Sequence, residues 1–203
     1  TLSDGPVYHP GGIDFDGTSI WLCLAEYRPD SRSIVYRIDP ESLVATEVFR
    51  FADHLGAVVH LPDARLLVGV SWGSRRIYAW DMQENGMGPL DASRPRVIKN
   101  PSLYVAYQDM QRIEGTNIVL ASGVRTLRGA GRETPAITLG GIDLLAFPGA
   151  VMRHGQPVNL KTPKGVPMTQ NPFYARLDGD EIRFWFIPED DESILYECVA
   201  VTR

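Results

Sequence analysis

Two histidines and two glutamines stand at corresponding places in a pattern that recurs along the chain. His9, His54, Gln108 and Gln170 each open a segment that runs through apolar residues into a short turn. If these segments are equivalent inner strands around one axis, the four side chains lie together at one mouth of a central channel. Imidazoles and amides can orient a small ligand or exchange protons with it. Alternatively, they satisfy loop backbone groups and bound water in the channel.

The same column of residues raises the hypothesis of a divalent metal in the channel. His9 and His54 would supply nitrogen ligands, and Asp109 and Asn171 would supply oxygen ligands. Amides are poor zinc ligands, however, and calcium prefers carboxylates. The sequence therefore leaves the cofactor, and whether there is one, unknown.

Arginines cluster in three loops that we expect on the same face as the histidines. Guanidinium groups bind carboxylate or phosphate through two parallel hydrogen bonds, which predicts a ligand with an anionic part. Alternatively, the arginines pair with acidic neighbours and fix the loops. The third of these loops holds both Arg125 and Arg132. The predicted substrate-binding residues are Arg28, Arg75, Arg125, Gln108, Gln170 and Trp72.

Residues 69–73, Gly-Val-Ser-Trp-Gly, match the G-x-S-x-G pattern of serine hydrolases. That pattern normally requires a strand–turn–helix context, whereas here it follows a strand among further strands. Counting from the turn at Asp63 nevertheless places Ser71 or Trp72 opposite His54. The sequence therefore keeps one catalytic hypothesis open, with Ser71 as nucleophile and His54 and His9 as acid–base groups.

Four turns set the register of the repeat that would position these residues. They lie at residues 16–17, 62–63, 114–115 and 178–179, and apolar stretches flank each of them. This pattern predicts four hairpins. A third strand is predicted after each hairpin, and a fourth strand after three of them. Strands are predicted, among others, at 20–25, 33–38, 66–70, 96–99 and 158–161. No long segment has a helical apolar stripe.

Four-stranded units at this period predict an all-β fold, a β-propeller with four recognisable blades. One domain would span residues 1–203, with blades at about 9–51, 54–101, 108–163 and 170–203. The last blade lacks a fourth strand. We therefore expect either closure by the N-terminal residues or a six-bladed ring whose N-terminal blades are missing. A second chain or an N-terminal fragment would then complete the ring.

The charge and composition of the chain restrict the classes of partner that we expect. The formal net charge is -5, so general attraction to nucleic acid is not expected. No apolar run is long enough to span a membrane. The two cysteines, Cys23 and Cys198, lie in apolar stretches and are read either as buried hydrophobes or as a disulfide that joins the first repeat to the last.

Several motifs together resemble an uncharacterised family of β-propeller-like proteins from fungi and bacteria that are often exported. They are HPGGID, AEYRPDSRS, FADHLGAVVH and SWGSRR, within residues 8–81. The resemblance implies a secreted protein, although composition leaves the cytoplasm open, and members with about two more N-terminal blades. It implies no activity. A looser likeness to six-bladed lactonases, which hold calcium with Glu, Asn and Asp, is an analogy of fold alone.

These observations predict that a small molecule binds at the channel mouth. The ligand would be anionic or polyhydroxylated, and hydrolysis of an ester or lactone is the expected reaction if the protein is an enzyme. The alternative is a propeller without catalysis that binds protein or glycan. The sequence does not decide between the two.

Overall fold

The computed structural model describes residues 2–102, 104–129 and 136–201, and their architecture is all-β, as predicted. Among these residues there are two short 3₁₀ helices, Pro62–Ala64 and Trp72–Ser74, and no α-helix. The strands are β1 (His9–Phe15), β2 (Ile20–Ala25), β3 (Ser33–Ile38), β4 (Ala45–Phe51), β5 (Ala57–Leu61), β6 (Leu66–Val70), β7 (Arg76–Asp81), β8 (Arg96–Lys99), β9 (Ala106–Arg112), β10 (Ile118–Leu127), β11 (Ile137–Ala146), β12 (Val151–Val158), β13 (Phe173–Asp178), β14 (Glu181–Phe186) and β15 (Tyr196–Val201).

The strands form four antiparallel units in chain order: β1–β4, β5–β8, β9–β12 and β13–β15. The first two units are fused into one eight-stranded sheet, because Gly12 of β1 and Ala57 of β5 form a parallel bridge. The third and fourth units are separate sheets of four and three strands. The predicted division into four blades is therefore finer than the observed sheets, although the strands follow the predicted repeat.

The second unit is buried on both faces because it lies between the first and third units. Every residue of β5 is buried, and side chains alternate between the two faces of a strand. Val59 and Leu61 belong to the core shared with the third unit, whereas Val58 belongs to the core shared with the first unit, beside Trp21. This two-sided burial explains why β5, apart from His60, and β6 are apolar throughout rather than alternating between apolar and polar residues.

Carboxyl side chains tie together β1, β5, β9 and β13, the first strands of the four units, which we call the inner strands. The two Oδ atoms of Asp14 on β1 accept the backbone N–H groups of His60 on β5 and Arg112 on β9, each at 3.2 Å. Asp109 on β9 accepts the backbone N–H of Phe173 on β13 at 3.0 Å. Each carboxylate therefore supplies a hydrogen bond that a backbone ladder would otherwise make.

Gln111 adds a similar link between the third and fourth units. Its Oε1 accepts the N–H of Ala175 at 2.7 Å, and its Nε2 donates to the carbonyl of Ala175 at 3.1 Å. The side-chain amide thus imitates a strand neighbour and pairs with both backbone groups of one residue on β13.

The Gly11-Gly12 pair lies where β1 crosses closest to its neighbours. A Cβ atom at Gly11 would lie 2.5 Å from Cys23 Sγ, and one at Gly12 would overlap Asp109 Oδ1. The two glycines therefore let β1 approach its neighbours more closely than any side chain at these positions would allow.

Both cysteines carry free thiols, so the disulfide alternative is not realised. Cys23 is fully buried in the core shared by the first two units, and Cys198 packs at the edge of the core between the third and fourth units. No helix in the described part of the chain is long and apolar enough to cross a membrane.

Candidate functional site

His9 and His54 lie at the same end of the inner strands and are linked through two aromatic rings. The ring centroids of His9 and Tyr27 are 4.5 Å apart, those of Tyr27 and Trp72 are 5.3 Å apart, and those of Trp72 and His54 are 4.8 Å apart. We call these four residues the mouth cluster. Three loops of the first two units and the start of β1 therefore converge at this end of the sheet.

His54 is the most buried member of the mouth cluster, at 4% exposure. Its Nδ1 lies 3.0 Å from the backbone carbonyl oxygen of Glu26. A carbonyl only accepts, so Nδ1 carries the proton in this contact and Nε2 keeps its lone pair. Burial lowers the pKa of His54, and the nearby charge of His9 lowers it further, against opposing effects of the Glu26 carbonyl and Asp53. His54 is therefore a neutral imidazole with a defined tautomer.

The Nε2 atom of His54 faces a small open space. Among the described residues it has no hydrogen-bond partner. A Cβ added at Gly56 would lie 3.9 Å from it, at ordinary van der Waals distance. Gly56 thus leaves room of about one methyl group beside a free basic nitrogen, which is where a ligand or a water molecule could bind.

The fourth unit reaches the mouth cluster through its acidic loop. Burial lowers the pKa of His9, and the negative charge of Asp190 partly offsets this. Asn171 Nδ2 donates to Asp190 Oδ1 at 2.8 Å and to the carbonyl of Pro188 at 2.9 Å. Asn171, predicted as a possible metal ligand, therefore positions a carboxylate that acts on His9.

Arg28 pairs with an acidic neighbour and fixes its loop, as in the alternative to ligand binding given above. Its Nη2 lies 2.6 Å from one carboxylate oxygen of Glu26, and Arg32 Nε lies 2.7 Å from the other. The hydrogen bonds and charges of Arg32 and Arg28 hold the pKa of Glu26 below its ordinary value despite burial. This bracketed carboxylate fixes the loop whose carbonyl receives His54 Nδ1.

Arg75 is differently placed. Its Nε donates to the carbonyl of Gly73 at 2.7 Å, and within the described ranges its guanidinium has no carboxylate within ion-pair distance. Arg125 is half-buried near the far end of the long strand β10. Arg132 lies outside the described residues. Of the predicted arginines, Arg75 offers the clearest positive charge near the mouth cluster.

Ser71 does not bond to His54 in the structure. Its Oγ accepts the backbone N–H of Arg76 at 3.0 Å and donates to the carbonyl of Trp72 at 3.5 Å. Of the predicted glutamines, Gln108 is exposed and donates from Nε2 to the carbonyl of Ala106, while Gln170 is half-buried. Ser71 therefore holds the turn that presents Trp72.

The structure does not favour the metal hypothesis at these positions. Asp109 is completely buried and accepts backbone N–H groups from Met110 and Phe173, so it does not face the mouth. Across residues 2–102, 104–129 and 136–201, no three His, Cys, Asp or Glu side chains are grouped to hold a metal ion.

No sequence pattern assigned a role at the site to Tyr27 or Asp190. Tyr27 lies between Glu26 and Arg28 in a polar loop and is 63% exposed, so nothing in the sequence signals that its ring bridges His9 and Trp72. Asp190 belongs to the loop Pro-Glu-Asp-Asp-Glu-Ser, whose acidity is visible in the sequence. The signal that could have identified it is the contrast between this acidic loop and the basic loops opposite.

Two solved structures resemble the chain at low identity. An acylaminoacyl peptidase from Pyrococcus horikoshii is 9% identical with a TM-score of 0.46, and the match covers 96% of this chain and 31% of that one. A candidate 6-phosphogluconolactonase from Bacteroides uniformis is 13% identical with a TM-score of 0.39, and the match covers 96% of this chain and 55% of that one. The chain thus spans about a third and about half of the length of these proteins.

No curated protein matches the sequence significantly. A family model does match, and it extends over nearly the whole chain rather than over residues 8–81 alone. The expectation of an uncharacterised family is thereby confirmed. The chain belongs to the family of unknown function DUF6454, whose model matches residues 1–202.

Proposed function

We propose that the mouth cluster binds a small molecule and that His54 acts as a general base in the hydrolysis of its ester or lactone bond. One observation carries this proposal. The Glu26 carbonyl fixes the proton of His54 on Nδ1, and Nε2 is left neutral and without a partner beside Gly56. A positioned neutral imidazole is the usual group that takes a proton from an attacking nucleophile near neutral pH.

In the proposed reaction the nucleophile is water. His54 Nε2 takes one proton as the water oxygen bonds to the substrate carbonyl carbon. The resulting imidazolium then returns the proton to the leaving oxygen when the ester bond breaks. The Glu26 carbonyl stabilises the imidazolium through Nδ1–H. Water is preferred to Ser71 because Ser71 Oγ already serves as acceptor for the Arg76 amide.

The surroundings of His54 favour an anionic or polyhydroxylated substrate. The guanidinium group of Arg75 is available to bind a carboxylate or phosphate group of the ligand. The pair of Asn171 and Asp190 offers acceptors for hydroxyl groups. Tyr27 and Trp72 would pack against the apolar face of a ring.

We further propose that the four units are blades of a β-propeller, in which β1, β5, β9 and β13 are the inner strands. The carboxylate links among these strands support this arrangement. Blade number, completion of the ring by an N-terminal fragment or a second chain, and export of the protein remain predictions from the repeat and the resemblance.

Hydrolysis would be tested on a panel of lactones and aryl esters, with and without a carboxylate or phosphate group. Turnover would be measured as the number of protons released at constant pH. We expect turnover of at least one substrate, and His54→Gln should lower kcat by about 100-fold or more. The matched control is His154→Gln, since His154 is an exposed histidine on β12. Unchanged turnover in His54→Gln would refute the assignment of the base.

Gly56→Ala provides a second variant that does not depend on removing the imidazole. The added methyl would contact His54 Nε2 without overlapping any atom, so the protein should fold normally. We expect KM to rise because the space for the ligand is smaller. Full activity with an unchanged KM would place the ligand elsewhere.

A glycan-binding module is the second candidate function. The observation that favours it is the exposure of Tyr27 at 63% and Trp72 at 38% on one face. Sugars pack against such rings without any acid–base group. In that case Trp72→Ala should abolish binding to a glycan panel, His54→Gln should leave it intact, and no substrate should be turned over.

A further inference from the structure

A cavity lies at the opposite end of the inner strands from the mouth cluster. Its volume is about 270 Å³, close to the lower limit of about 300 Å³ for small-molecule sites. It is bordered by the hairpin turn of the first unit and by residues 82–86, which follow β7. We call it the hairpin-end cavity. Its polar lining residues include Asp16, Ser19, Arg37, His60, Arg65 and Asn85.

Asp16 and His60 form a buried pair in the wall of this cavity. Asp16 Oδ2 lies 2.6 Å from His60 Nδ1 and also accepts the indole N–H of Trp21 at 2.7 Å. Asp16 Oδ1 accepts the backbone N–H groups of Thr18 and Ser19. Burial alone would raise the pKa of Asp16, but these donors outweigh it and hold the pKa below the ordinary value. Asp16 is therefore an anion that orients the imidazole.

The other ring nitrogen of His60 has no partner. His60 is only 6% exposed, and in the described part of the chain Nε2 makes no hydrogen bond. Since Nδ1 is held by Asp16, Nε2 is the atom available to the cavity. A phosphate group offers both P–O⁻ acceptors and, in its monoprotonated form, a P–OH donor, so it can form a hydrogen bond with Nε2 whether that nitrogen donates or accepts, whereas a carboxylate anion offers acceptors only.

Arg37 brings a positive charge to the same cavity. Among the described residues no carboxylate lies within 4.0 Å of its guanidinium, and its hydrogen bond is to the sulfur of Met87 at 2.7 Å. Arg65 lies nearby, 3.7 Å from Glu84, whose side chain is 92% exposed. The cavity therefore contains one guanidinium without a charged partner and one in a weak surface pair.

We propose that the hairpin-end cavity binds a tetrahedral oxyanion, the phosphate group of a small phosphorylated ligand, through Arg37 and Nε2 of His60. The three polar groups lie on different elements, Arg37 on β3 and His60 on β5, with the Ser19 hydroxyl at the hairpin turn. A phosphate presents oxygens in several directions and can meet all three, whereas a planar carboxylate presents two oxygens in one plane. This site is separate from the mouth cluster and does not depend on the proposed hydrolysis.

The test uses inorganic phosphate as the probe and acetate as the comparison, at constant ionic strength and pH. The indole N–H signal of Trp21 and the ring signals of His60 report on the cavity by NMR, since the two rings lie 4.8 Å apart. We expect saturable shifts with phosphate, at least tenfold weaker binding of acetate, and at least tenfold weaker phosphate binding in Arg37→Gln. Arg94→Gln is the matched control, because Arg94 is 86% exposed and lies outside both sites.

Three results would overturn the proposal: equal binding of acetate and phosphate, unchanged phosphate affinity in Arg37→Gln, or shifts at His54 and Trp72 instead of Trp21 and His60. The last result would assign the anion to the mouth cluster and leave the proposed function standing. Arg37 decides the test rather than His60, because a change at His60 also removes the bond to Asp16.

Discussion

The indole of Trp72 packs edge to face against the imidazole of His54, with ring centroids 4.8 Å apart and planes at 77°. Trp72 is presented by the short 3₁₀ turn that follows β6, whereas His54 precedes β5, so the contact joins the two ends of one hairpin. The indole covers part of the imidazole that the Glu26 carbonyl does not reach. The protonation of His54 should therefore depend on Trp72.

We expect Trp72→Ala to raise the pKa of His54 toward its ordinary value. Burial is the largest cause of the lowered pKa, and removing the indole admits water to the ring. An NMR titration of the histidine ring protons would measure the change. Trp185→Phe, on the fourth unit, is the control and should leave the titration of His54 as it is. A His54 pKa that stays the same in Trp72→Ala would mean that other residues exclude the water.

The Asp16–His60 pair should make the protein sensitive to acid. The pKa of Asp16 is lower in the folded state than the value of about 3.9 for the unfolded chain. Its stabilising effect is therefore complete above about pH 4 and is lost as the pH falls through the lower folded value. Asp16→Asn should cost about 2–4 kcal/mol at pH 7, since it disrupts a buried charged network.

Denaturant unfolding between pH 2 and pH 7 would measure this effect. The unmodified protein should lose stability below about pH 4, and Asp16→Asn should show less of this loss. Asp180→Asn, at an exposed hairpin turn, is the control and should follow the unmodified protein. An Asp16→Asn variant as stable as the control at pH 7 would contradict the importance of the pair.

Asp14 should have the opposite pH dependence. Burial raises the pKa of Asp14 to about 7, against the lowering effect of the Arg112 and His60 backbone N–H groups. Between about pH 4 and pH 7 the unfolded chain is ionised at this position while the folded chain holds the proton. The contribution of Asp14 to the free energy of unfolding is therefore fully present below about pH 4 and is lost as the pH rises through 7.

Asp14→Asn removes this titration. The free energy of unfolding should therefore fall less steeply between pH 5 and pH 8, and the difference in slope should correspond to one proton released on unfolding. The variant should be less stable than the unmodified protein at pH 5, since an amide oxygen replaces two acceptor oxygens. The measurement is the denaturant midpoint at each pH. A slope that equals that of the unmodified protein would show that Asp14 is ionised throughout.

Gly12→Ala should destabilise the fold strongly, because the new Cβ overlaps Asp109 Oδ1 and lies 2.7 Å from Asp109 Cα. Backbone must move to relieve this overlap, at a cost of about 3 kcal/mol or more. Gly56→Ala is a matched control, because Gly56 immediately precedes the neighbouring strand β5 and the nearest atoms to the new Cβ lie at 3.9 Å. We expect it to change stability by less than about 1 kcal/mol. Equal thermal stability of the two variants would contradict the crowding at β1.

Much of the strand pattern could be predicted because turn formers bound the strands on both sides. The predicted strands at 20–25, 33–38, 66–70 and 96–99 coincide with β2, β3, β6 and β8. The prediction for 158–161 was wrong in position, since β12 spans Val151–Val158. That segment is largely exposed and polar, and it is a strand because its backbone pairs with β11. A pattern of side chains gives no signal for such an edge strand.

The site was predictable to the extent that it follows from strand register. His9 is the first residue of β1, His54 lies just before the equivalent strand β5, and both belong to the mouth cluster. The Asp16–His60 pair was not predictable, because it joins a turn in one unit to a strand of the next. The same holds for Asp14 and Asp109, whose carboxylates serve backbone groups of other units rather than a ligand.

The carboxylate links among the inner strands have a mechanical consequence. A continuous ladder fixes two strands along their whole length, whereas β9 and β13 are joined through the side chains of Asp109 and Gln111. We therefore expect the third and fourth units to shift against each other more easily than two strands of one sheet can. Because Asp190 lies in the loop between β14 and β15, such a shift would change its distance from His9.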